Sequence, residues 1–109
     1  MMRITALAAA FAVVALPAFA QSPAEKGKEV YAAQKCSICH SVAGVGNKKG
    51  PLDEAGSKLS ASDIRSWIVD APTMATKAKA DRKPAMKAYS TLSKDDVDAL
   101  VAYVSSLKK

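Results

Sequence analysis

Apolar positions recur with the 3.6-residue period of a helix in the last fifteen or so residues of the chain. Val97, Leu100, Val101, Val104 and Leu107 fall at i, i+3, i+4, i+7 and i+10, which places them on one stripe. Ser93-Lys94-Asp95-Asp96 opens that stretch with a serine and a carboxylate three residues later, the pattern of a helix start. Asp95, Asp96 and Asp98 suit the positive end of a helix dipole, and Lys108 and Lys109 suit the negative end. A second apolar face, Ile64, Trp67 and Ile68, predicts a helix to about Asp70, capped by Ser60 with Asp63 at its third position. Pro72 is expected to stop it.

A first helix is predicted over residues 24–35, which contain no proline and carry Glu25 near the positive end. Gly27 and Tyr31 lie four apart and share a face. Glycine weakens a helix, so one placed here predicts the close approach of another helix. Residues 41–50 read as an irregular loop marked by Gly44, Gly46, Asn47 and Gly50. Residues 73–91 are polar and basic with poor periodicity, and predict a loop with at most one helical turn. A loop this long in a small domain is usually functional. The whole therefore reads as all-α, with three main helices.

The chain has 109 residues, enough for one domain. Residues 1–20 open with Arg3, run through an apolar stretch of 13 residues from Ile4 to Leu16, and end in Pro17-Ala18-Phe19-Ala20, an A-x-A-like cleavage site. This is the pattern of a secretory signal peptide, too short in its apolar run to span a bilayer comfortably. The expected mature domain is residues 21–109, exported to the periplasm without a stable membrane anchor. A domain of this size sits near the limit at which a core needs an added staple.

Cys36-Ser37-Ile38-Cys39-His40 supplies the candidate chemistry. Two thiols three residues apart, followed at once by an imidazole, form the attachment signature of a c-type haem. One turn of chain carries both sulfurs to the edge of a single porphyrin and brings the next side chain beneath the iron. Other readings fit less well. A thioredoxin-like pair needs a strand-helix-strand setting, and the flanks here look helical. Zinc needs four ligands, and the chain offers two cysteines and one histidine. A disulfide across so short a ring adds little by loop entropy. An axial histidine also needs an acceptor for its second ring nitrogen. The carbonyl of Pro51, in Gly50-Pro51-Leu52, is the candidate.

Loss of the leader removes Arg3 from the 16 basic residues set against 10 acidic ones, leaving a net charge of +5. Such a balance suits an acidic protein surface or an anionic membrane. Nucleic acid is set aside, since the expected export and the lack of interleaved aromatics argue against it.

In order along the chain, Gly27-x-x-x-Tyr31, Cys36-x-x-Cys39-His40, Gly50-Pro51, the helix bearing Trp67, a methionine loop and Leu100-Val101-Ala102-Tyr103-Val104 resemble the class I cytochromes c, most closely the short, monohaem, exported bacterial type. The resemblance implies a cytochrome c-like fold of three main helices and loops around one covalently attached haem c. It implies that the first and last helices cross at Gly27, Tyr31 and Tyr103. It also implies His40 and a methionine as the axial ligands of the iron. Met86, in Pro84-Ala85-Met86-Lys87-Ala88-Tyr89, stands where the family places its ligand, and Met74 is the other candidate. Many relatives have proline after that methionine, where this chain has Lys87. Trp67 and Tyr89 are expected to pack on the haem, and Lys58 is a candidate for its acidic edge.

Histidine and thioether together leave no open coordination position and raise the reduction potential. The expected function is outer-sphere transfer of single electrons, not enzymatic turnover. Lys28, Lys35, Lys48, Lys49, Lys83 and Lys87 are the candidate docking residues for acidic redox partners, a dehydrogenase or reductase as donor and an oxidase as acceptor. A monomer is expected. The alternatives are a bound haem subunit of a periplasmic dehydrogenase or oxidase complex and, from another class, a haem peroxidase or gas-binding protein.

Overall fold

A computed structural model describes residues 21–109, and the predicted leader lies outside the described residues. The first helix, α1 (Pro23–Ala33), begins because Ser22 is extended and its hydroxyl accepts from the Glu25 amide at 3.2 Å. Pro23 needs no partner for its nitrogen in that first turn, and Glu25 adds a favourable charge. The last helix, α5 (Lys94–Ser105), starts the same way, with the Ser93 hydroxyl accepting from the Asp96 amide at 3.1 Å. Lys108 and Lys109 lie beyond its end.

α1 and α5 pack against each other, as Gly27 predicts. A β-carbon built on Gly27 would lie 2.6 Å from Tyr103 Cβ and closer still to the Ala99 carbonyl oxygen, so only hydrogen fits. One turn on, the Tyr31 and Tyr103 rings meet edge to face with centroids 5.6 Å apart, a geometry that adds about 1 kcal/mol to the burial of the rings.

The helix α3 (Ala61–Val69) is capped by Ser60, whose hydroxyl accepts from the Asp63 amide at 3.1 Å. It brings Ile64 and Ile68 against Val97, Leu100, Val101 and Val104 of α5 and Val30 and Tyr31 of α1. Burial of each aliphatic side chain of this kind stabilises the fold by about 1.5–3 kcal/mol. The expected three helices are thus present, and their apolar stripes form one core.

Two expectations about the connections change. Pro72 does not end helical structure. The backbone breaks at Asp70 (φ −145°, ψ 49°), and a new helix, α4 (Ala71–Ala78), begins with proline in its first turn. Proline tolerates that position as readily as it forbids the interior. The predicted loop over residues 73–91 therefore starts only at Lys79, a left-handed residue at φ 53° that closes α4. Residues 41–50 also hold more order than a loop. β1 (Ser41–Val42) and β2 (Val45–Gly46) pair antiparallel through a two-residue turn, with Ala43 at φ 51° and Gly44 at φ 79°, the double positive φ of a tight hairpin.

A short helix, α2 (Ala55–Lys58), joins this region to α3. Its Gly56 amide donates to the Leu107 carbonyl at 2.9 Å, fastening the linker to the end of α5. No described helix is long and apolar enough to cross a membrane.

Candidate cofactor site

The attachment turn is built by backbone geometry. Lys35 adopts a left-handed conformation (φ 58°), which ends the run of α1 and starts a single 3₁₀ turn, Cys36–Ile38. The Cys39 and His40 amides both donate to the Cys36 carbonyl, at 3.1 and 2.9 Å. The turn places Cys36, Cys39 and His40 on one side, all partly buried, while Ile38 faces solvent. The two cysteines form no disulfide with each other.

His40 Nδ1 lies 2.9 Å from the Gly50 carbonyl oxygen. A carbonyl can only accept, so Nδ1 carries the proton and Nε2 keeps its lone pair for a metal. The acceptor is one residue earlier than the predicted Pro51. Ser41 and the 50–52 segment form a parallel bridge, in which the Gly50 carbonyl also accepts from the Ser41 amide at 3.1 Å. Pro51 itself is exposed. Burial is the main cause that lowers the His40 pKa; the bond to Gly50 opposes it, and the Arg82 charge adds to it. The neutral imidazole is thereby favoured, which is the form that binds iron.

Asn47 holds this arrangement together and was not singled out as a site residue from the sequence. Its amide bridges the Ser37 and His40 carbonyls at 3.0 Å each, its carboxamide nitrogen donates to the Ile38 carbonyl at 3.1 Å, and its carboxamide oxygen accepts from the Lys49 amide at 3.0 Å. Gly46, at φ 109°, passes so near the Ser37 and His40 carbonyls that no side chain fits. The signal for both was the Gly-Asn-Lys-Lys-Gly run, which is a loop signature before it is anything else.

Above the turn opens an apolar cleft of about 330 Å³. Cys36, Cys39 and His40 line one side of it; Trp67 and Ile64 of α3 and Leu100 of α5 form walls. Met86 and Tyr89 line it from the segment after α4, and Met74 is not among the lining residues. The Tyr89 amide donates to the Ile68 carbonyl at 2.8 Å, which ties that segment to the end of α3. Burial raises the Cys36 and Tyr89 pKa values and pushes Tyr31 up to about 12, with the nearby Cys36, Tyr103 and Asp53 charges adding to the effect on Tyr31. The Tyr31 hydroxyl is buried with no hydrogen-bond partner among the described residues.

These residues fit a flat, apolar, iron-bearing group. Two thiols on one turn, an imidazole with a free lone pair and a thioether converge on one greasy cleft, a soft and nitrogenous donor set. Among the described residues no three His, Cys, Asp or Glu side chains converge as a separate metal site.

The six candidate docking lysines, Lys28, Lys35, Lys48, Lys49, Lys83 and Lys87, are all exposed, and none forms a salt bridge among the described residues. Lys87 Nζ lies 4.9 Å from the centroid of the Tyr89 ring. Lys58 instead pairs with Glu54 at 2.8 Å, which occupies it locally.

The family model described as cytochrome c matches residues 24–108. Cytochrome c oxidase subunit 2 of Alkalihalophilus pseudofirmus is 30% identical over 94 residues, covering 78% of this chain. The chain spans only 26% of that protein's length. No solved structure matches it. From α1 to the tail beyond α5 the matched segment takes in the attachment turn, the cleft and the whole core, and the chain belongs to the cytochrome c family, whose covalently attached haem c and iron it carries.

Proposed function

We propose that the protein is an exported, periplasmic carrier of single electrons, with haem c bonded to Cys36 and Cys39 and its iron held between His40 and Met86. One observation carries the reading. His40, its Nδ1 proton committed to Gly50, shares one apolar cleft with Met86 and both cysteines, and Met74 does not line it. When bound, the iron supplies a one-electron couple. His40 offers it a neutral imidazole and Met86 a soft thioether that favours the reduced state. With His40 and Met86 both holding the iron, oxygen and peroxide would find no open place on it, which argues against the peroxidase and gas-binding alternatives. Trp67, Ile64 and Leu100 keep water away, so that little solvent rearranges when the charge changes.

Docking follows from the lysines. An exposed basic set speeds encounter with acidic partners, a dehydrogenase or reductase on one side and an oxidase on the other. The likeness to an oxidase subunit favours a second reading, in which the chain is a bound haem subunit of such a complex. Gel filtration of the native material separates the two: a free carrier elutes at the size of the single chain.

The axial assignment is tested by absorption spectra of protein recovered from a host competent in cytochrome maturation. The oxidised protein is expected to show the near-infrared sulfur-to-iron charge-transfer band. Met86→Ala abolishes it and Met74→Ala leaves it. A band that survives Met86→Ala overturns the ligand assignment, and colourless protein overturns the whole reading.

A further inference from the structure

Arg82 lies on the rim of the cleft, half-buried, and among the described residues it pairs with no carboxylate. A guanidinium in such a place normally finds an anion or a fixed packing partner. The partner here is Gly50. A β-carbon built on Gly50 would fall 3.0 Å from Arg82 Cζ, and nearer still to its Nη1 and to the Cys39 carbonyl oxygen. Glycine is therefore the residue that lets the guanidinium seat against the backbone. The same Gly50 presents the carbonyl that accepts from His40 Nδ1 and from the Ser41 amide. Arg82 stands four residues before Met86, so one side chain links the methionine-bearing segment to the histidine-bearing turn.

We propose that Arg82 is a positioning residue of the redox site, seated on Gly50 so that its charge raises the reduction potential and its bulk holds the carbonyl that orients His40. The inference rests on the axial reading given above. A fixed positive charge beside the site disfavours the oxidised state, which carries one more positive charge, and partial burial limits its screening. The guanidinium packs against the residue whose carbonyl sets the imidazole's tautomer, and such outer contacts tune a metal as surely as its ligands do.

The test compares Arg82→Gln and Arg82→Lys in the mature haem protein. Arg82→Gln is expected to shift the redox equilibrium against a fixed reference couple at least roughly threefold toward the oxidised form, where a tenfold shift is about 59 mV for one electron. Arg82→Lys keeps the charge and stays between it and the parent. Both variants lose the guanidinium packed on Gly50, so the His40 Nδ1 proton is expected to exchange with solvent faster by nuclear magnetic resonance. Should Arg82→Gln fail to mature, Arg82→Met serves the same comparison. An unchanged or raised potential on loss of the charge, or equal potentials in the lysine and glutamine variants, overturns the proposal. A sulfur-to-iron band retained in each variant shows that the axial ligands survived, whereas failure of the axial reading would already show in the unsubstituted protein.

Discussion

Gly27 of α1 and Tyr103 of α5 are in such close register that a β-carbon on the glycine would stand 2.6 Å from the Cβ of the tyrosine. Neither helix can yield cheaply, because the Ala99 carbonyl, a rigid backbone group, is nearer still. Gly27→Ala is thus expected to destabilise the protein by about 1–3 kcal/mol, the usual cost of overpacking, although alanine is the better helix former. Chemical unfolding measures this. A stability equal to the parent's would mean that the two helices can separate freely.

Tyr31 gives a prediction of the opposite sign near neutral pH. Its buried hydroxyl has no partner among the described residues, and an unmet buried donor costs about 1–3 kcal/mol. Tyr31→Phe is expected to be neutral or stabilising there. The two proteins also differ at high pH. Burial raises the folded tyrosine from 10.0 to about 12, so its contribution is whole below pH 10 and is lost as pH climbs from 10 toward 12. The phenylalanine variant should lack that part of the alkaline decline in thermal unfolding; identical alkaline profiles would count against the burial of the hydroxyl.

At the acid end the relevant group is Asp98. Hydrogen bonds from Lys94 at 2.8 Å and from Arg65 hold its carboxyl below the usual 3.8. A carboxylate lowered in the folded state adds stability that is present above its unfolded pKa and lost as pH falls through its folded one. Asp98→Asn should flatten the acid side of the stability profile below about pH 4: the variant is modestly less stable than the parent at pH 7, as suits an exposed pair, and converges on it in acid. A variant that loses stability equally at all pH values would show that packing, and not charge, is what Asp98 supplies.

If the exposed lysines dock the partner, electron-transfer rates fall as salt rises, because the Debye length shrinks to about 8 Å at physiological ionic strength. Lys83→Glu with Lys87→Glu should slow encounter at low salt and weaken the salt dependence. Stopped-flow transfer to an acidic redox partner reads both. Rates indifferent to salt would remove these lysines from docking.

Much of this architecture is legible in one sequence because its signals are local. The serine caps at Ser22, Ser60 and Ser93 satisfy amides three residues away, though only the last two read as caps from the sequence. The Cys36-x-x-Cys39-His40 spacing fits one turn, and Gly27 betrays a neighbour by its unsuitability for a helix. What escapes reading is set by contacts between distant segments or by residues with two opposite uses. Pro72 could stop a helix or start one, and the kink at Asp70 decided for the start. The His40 acceptor shifted from Pro51 to Gly50 because the bridge at Ser41 sets the register of that strand-like segment. Asn47 carries its role through carbonyls seven to ten residues back, and Gly56 and Arg82 act through Leu107 and Gly50, 51 and 32 residues away, which no local window contains.

The bond from the Tyr89 amide to the Ile68 carbonyl has a mechanical consequence. It leashes the chain three residues downstream of Met86, so that side's slack is at most about 10 Å of extended backbone. Any excursion of the sulfur must therefore draw its freedom from the upstream stretch between Lys79 and Ala85, and extra residues inserted there would loosen the thioether's grip, while the same residues inserted after Ser90 would leave it taut.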